Sequence, residues 1–98
     1  TFPDHPQMAV DPDGRLIIVW EEQSPVRREV VMSVSLDRGQ TFSAPQKLNE
    51  KKGQTPTLSI NAQGLAVLAW MEHVMPAHRI VVQMLQLPVA RVVAKQEP

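Results

Sequence analysis

Pro6 to Glu22 reads PQMAVDPDGRLIIVWEE, and at a constant offset of 50 residues Pro56 to Glu72 reads PTLSINAQGLAVLAWME. The two segments align without a gap, which places Gly14 on Gly64, Trp20 on Trp70 and Glu22 on Glu72. Each consists of a short apolar stretch, an Asp or Asn three residues before a glycine, and a compact apolar run ending in tryptophan. The acid or amide side chain folds back onto nearby backbone N–H groups and the glycine accepts a positive φ, so each middle section reads as a tight turn. The β-branched and aromatic content of the flanking runs marks them as strands.

Working outward, Arg15 to Glu22, Glu29 to Leu36, Thr57 to Asn61, Leu65 to Glu72 and Arg79 to Leu87 all read as strands, with terminal strands near Thr1 to Val10 and Ala90 to Gln96. Nine prolines spread along the chain leave little room for a long helix. The runs LIIVW and LAVLAW lack strict alternation, which predicts cover on both sheet faces. If the second copy carries one extra loop residue, Arg28 to Leu36 falls on Arg79 to Leu87. Each copy is then four strands, residues 1–52 and residues 53–98. A four-stranded unit repeated at this period predicts β-propeller blades, which leave apolar faces open until neighbours cover them.

The 98-residue length allows one modest domain. Ten basic and ten acidic residues cancel, and Lys and Arg cluster no further than Arg27/Arg28 and Lys51/Lys52, so the footprint of a nucleic-acid binder is missing. Cysteine is absent, which removes disulfides and thiolate metal sites. No apolar run approaches the roughly 20 residues of a membrane-spanning helix.

Between the first copy's third and fourth strands lies SLDRGQTF, in which Ser35, Asp37, Gly39, Thr41 and Phe42 match the Asp box, Ser-x-Asp-x-Gly-x-Thr-aromatic. With the preceding DPDG turn and the tryptophan-ending strand, the chain resembles the sialidase-like β-propellers built of BNR repeats. That resemblance implies an all-β fold of two four-stranded antiparallel blades, part of a larger or oligomeric propeller. It also implies an extracellular or periplasmic location and a structural role for the Asp box, on the face opposite the ligand site. Phe42 is expected to cap the core at the hairpin end. In the second copy the box is degenerate, with Pro88 opposite Asp37. Missing blades would come from self-association, for which a trimer closes a six-bladed ring, or from the rest of a longer chain.

Alternating strands put the turns and the Asp box at one end, and at the other the second-to-third-strand loops and the inter-copy linker. His5, Glu22, Arg28, Gln54, Glu72 and Arg79 fall at that second end and are the candidate ligand-binding residues, a glycan being the implied ligand. Arg28 and Arg79, taken as equivalent, suit a carboxylate held by bidentate hydrogen bonds. Glu22 and Glu72 suit glycoside hydrolysis if their carboxyl groups lie about 5 to 9 Å apart. Sialidases use an arginine triad and a tyrosine nucleophile, and this chain has no tyrosine. The expected function is therefore a non-catalytic structural or glycan-binding module with no catalytic residue of its own. The alternative is a fragment of a larger exo-glycosidase whose catalytic residues lie elsewhere. No cofactor is required, although His73, Met75 and His78 in MEHVMPAH offer imidazole and thioether ligands that suit copper, and so a periplasmic copper-binding module as a third reading.

Overall fold

The computed structural model describes residues 1–87 and 91–97, and among them the chain is all-β. Strands β1 (Phe2–Val10), β2 (Leu16–Ser24), β3 (Arg27–Ser35) and β4 (Gln46–Lys47) form one antiparallel sheet in sequential order. A second sheet repeats the plan with β5 (Lys52–Ile60), β6 (Leu65–Val74), β7 (Ala77–Gln86) and β8 (Arg91–Gln96).

The repeat holds in the hydrogen bonding as well as in the order of strands. Asp11 Oδ1 accepts from the N–H groups of Asp13 and Arg15, both at 3.0 Å, and Asn61 Oδ1 does the same for Gln63 and Leu65 at 3.0 and 2.9 Å. Gly14 and Gly64 close these turns with φ of 80° and 81°, where a Cβ is strained. Burial opposes ionisation of Asp11, but the Arg15 and Asp13 N–H groups and the Arg15 guanidinium outweigh it and hold the carboxyl below its usual range. At the other end of the inner strands, both sheets shift register at the same place, between Asp4 and Gln7 and between Gln54 and Thr57.

Register corrects one feature of the sequence alignment. Trp20 pairs with Val31 and Trp70 with Val81, so the offset of 50 persists through the third strand with no extra loop residue. The structural counterpart of Arg28 is therefore His78, and Arg79 corresponds to Glu29. Ser35 and Asp37 correspond to Leu85 and Leu87, both buried, whereas Pro88, expected opposite Asp37, lies outside the described residues.

The packing follows from side-chain parity. On the first sheet Ile17, Val19, Val30, Met32 and Val34 point to the second sheet; there Ala66, Leu68, Trp70, Val81 and Leu85 point back. Leu48 joins this core, and Leu58 and Ile60 pack on its edge. Thus opposite faces of two equivalent sheets meet, so one face of each is left over. On the first sheet that face carries Met8 and Val10, 65% and 57% exposed, where their counterparts Leu58 and Ile60 are half-buried. Trp20 is half-buried while Trp70 is 1% exposed. The apolar runs therefore alternate between buried and half-buried positions instead of being covered on both faces, because each sheet has a single neighbour here.

Candidate functional site

Where β5 leans on β1, β2 and β3, the backbone leaves its usual range. His5 and Thr55, 50 residues apart, have φ of 51° and 56°, each just before a proline. Such a φ is uncommon for any residue with a Cβ and a marked outlier for β-branched threonine. The donors there are engaged: the His5 N–H donates to Asp4 Oδ1 at 2.9 Å, and the Thr55 N–H donates to Glu21 Oε2 at 2.7 Å.

Glu21 is the centre of this end of the molecule. It is 1% exposed, on the same strand face as Ile17 and Val19, and its carboxylate crosses from the first sheet to the second. Gln23 Nε2 donates to its other oxygen at 2.6 Å, and His5 Nδ1 lies 3.1 Å from Oε2. One residue from Thr55, Gln54 Oε1 accepts from Arg28 at 2.6 Å. His5, Arg28 and Gln54, three of the expected ligand residues, thus belong to one polar junction between the sheets. Its keystone, Glu21, is not among them; the signal in the sequence is its place two and four residues after Val19 and Ile17, on one face of a strand where a buried carboxylate needs donors.

Glu22 and Glu72 do not join it as a pair. Each accepts the indole N–H of the tryptophan two residues earlier, Trp20 or Trp70, at 2.8 Å. Glu72 faces the core side and also accepts long bonds from the Glu50 and Lys51 N–H groups, whereas Glu22 is on the opposite, outer face of the first sheet. Each carboxylate is thus engaged by the tryptophan of its own sheet. The Trp20 indole and then the Thr1 hydroxyl hold the Glu22 carboxyl below its usual range. Arg79 lies 3.7 Å from Glu72 and 2.8 Å from Glu97, so it does not converge with Arg28 on a shared carboxylate site.

Beside the junction a surface cleft of about 230 Å³ gathers Arg27, Arg28, Lys47, Lys51 and Lys52 against Glu29 and Glu50. Asn49, 5% exposed, builds its floor: Oδ1 accepts from the Val30 N–H at 2.8 Å, and Nδ2 donates to the carbonyls of Arg28 at 3.0 Å and Lys51 at 2.5 Å. It ties the start of β3 to the linker.

In the turn after β3, Ser35 Oγ donates to Asp37 Oδ1 at 2.8 Å and accepts from the Gly39 N–H at 2.8 Å. Thr41 donates to Asp37 through both its hydroxyl and its N–H, the latter at 2.9 Å. These bonds, the Thr41 hydroxyl first, lower the Asp37 pKa to about 2. The carboxylate is engaged by its own turn. Phe42 does not cap the core: it is 44% exposed, because Ser43 is the residue held against β3, its N–H donating to the Val34 carbonyl at 2.8 Å.

Of the three expected copper ligands, the structure brings two together. His73 and His78 are register partners with Nδ1 atoms 3.1 Å apart, while Met75 is exposed at the turn and has no described contact with them. Among the described residues no group of three His, Cys, Asp or Glu side chains converges on one point, and no helix is long and apolar enough to cross a membrane. No known family model matches the chain, and no curated protein matches it.

Proposed function

We propose that the chain is a two-blade segment of a sialidase-like β-propeller, a structural or glycan-binding module without catalysis of its own, whose two leftover faces are covered by further blades. The observation that supports this reading is the translational packing of equivalent sheets. The face of the first sheet that carries Met8, Val10, Ile18 and Trp20 corresponds, residue for residue, to the face of the second that is already buried. A cavity of about 360 Å³ lined by Pro3, Asp4, Pro6, Ile18 and Trp20 lies on it. On the opposite side of the molecule, Ala69, Met71 and Ile80 line a second apolar cavity of about 270 Å³. The second sheet's leftover face corresponds to the one that covers its neighbour, so the two open surfaces are complementary by the same rule that joins the sheets. Contacts of this head-to-tail kind close rings when the rotation permits.

In this reading the basic cleft and the Glu21 junction occupy the ligand-bearing end, opposite the Ser35–Phe42 turn. Sedimentation of the 98-residue chain tests the assembly. A discrete trimer supports self-closure, and concentration-dependent aggregation that a longer parent chain suppresses supports a segment of a larger propeller. A stable monomer at high micromolar concentration, with Trp20 open to a polar quencher, refutes it. Screening acidic and neutral glycans against Arg28→Ala and the unaltered chain tests the ligand role separately.

A further inference from the structure

We propose that His73 and His78 form a two-imidazole chelate for a divalent late first-row metal ion, Cu²⁺ above all. The two residues face each other across β6 and β7, flanked by the pairs Glu72–Arg79 and Val74–Ala77, so a paired hairpin backbone fixes their spacing. Their Nδ1 atoms are 3.1 Å apart, their ring centroids 4.5 Å apart, and their planes inclined at 53°. An ion about 2.0–2.1 Å from both nitrogens would see them at an angle of about 95–100°, between the square-planar and tetrahedral values. The separation that serves one shared proton also serves a bound ion, with the ring protons moved to the Nε2 atoms.

Both side chains are exposed, which leaves the remaining coordination positions to water or to an incoming ligand. Imidazole nitrogen is a good ligand for Zn²⁺, Ni²⁺ and Cu²⁺, and among divalent first-row ions Cu²⁺ binds most tightly to a given nitrogen site. Lys52, the register partner of His73 on β5, is the charged group beside the pair and opposes a cation there. The corresponding residues of the first sheet, Gln23 and Arg28, bond to Glu21 and Gln54 instead, so the chelate belongs to the second sheet alone. The chelate depends on one hairpin and lies on the face of the second sheet that is exposed in this chain, the face it shares with Met71 and Ile80.

Calorimetric titration of the 98-residue chain with Cu²⁺ at pH 7.5 in a non-coordinating buffer, paired with electron paramagnetic resonance, tests the chelate. One ion per chain is expected, with coupling to two nitrogens. His73→Ala and His78→Ala should each weaken binding at least about tenfold, His5→Ala should leave it unchanged, and Lys52→Gln should strengthen it. Because both histidines are exposed, circular dichroism should show the variants folded; if either alanine variant is not, His78→Asn replaces it. Binding that survives loss of both histidines, or no binding tighter than about 10⁻⁴ M, overturns the proposal.

Discussion

Trp20 and Trp70 occupy equivalent positions in the repeat, yet truncating them should not cost the same. Trp70 is 1% exposed within the core, and its indole N–H donates to Glu72, itself 1% exposed. Trp70→Ala removes a fully buried ring and leaves a cavity, for which about 3–5 kcal/mol is expected. Trp20 makes the same bond to Glu22, but ring and carboxylate are half-buried and water replaces part of what is lost. Trp20→Ala should therefore cost about 1–2 kcal/mol, in proportion to the smaller area returned to solvent. Trp→Phe variants separate the polar part: Trp70→Phe strips a buried carboxylate of its best donor, for about 1–3 kcal/mol, while Trp20→Phe should cost under about 1 kcal/mol. Urea unfolding followed by circular dichroism measures all four, provided the m-values agree. Equal losses at the two positions would refute the claim that parity of packing, not residue type, decides their weight. Wherever the outer face becomes covered by assembly, the Trp20 losses should rise toward those of Trp70.

Asp37→Asn should remove an acid-side stability transition. The folded carboxyl titrates near 2, below its usual 3.8, so its contribution is present above about pH 4 and lost as pH falls through 2; unfolding curves across that range should be flatter in the variant. Asn49→Ala should cost about 1–3 kcal/mol in urea unfolding by leaving the buried Val30 N–H without its acceptor; a neutral effect would show the linker held by other contacts. Gly64→Ala should cost about 1–2 kcal/mol in thermal unfolding from its φ of 81° alone, and more where the Arg15 guanidinium, 2.9 Å from the added Cβ, fails to move.

What the sequence made legible was local. The Asp11 and Asn61 turns need only their own residues, and the acceptors and glycines that build them stand at fixed spacings, so the expected geometry is the observed one. The third strand misled because residue identity favoured setting Arg28 on Arg79, whereas the length of the intervening turn sets register. Ser24 pairs with Arg27 and Val74 with Ala77, each across two residues, which leaves no place for an insertion. A slip of one residue exchanges the two faces of a strand. That slip would have turned Val81 and Leu85, both fully buried, away from the core.

The junction at Glu21 was harder to read because its partners are distant. Period two places Glu21 with Ile17 and Val19, and an ionised group on a buried face must find donors or lose heavily. Nothing near it in sequence except Gln23 supplies one. The decisive donor is the backbone N–H of Thr55, presented by a left-handed residue 34 positions away, on a strand that reaches Glu21 only once the sheets have stacked. Glu21 therefore reports on the packing itself: if a mutation keeps both sheets but changes their stacking, the Thr55–Glu21 bond should fail before the turns do. Amide exchange should register that order, with the Thr55 N–H losing protection while those of Arg15 and Leu65 keep theirs.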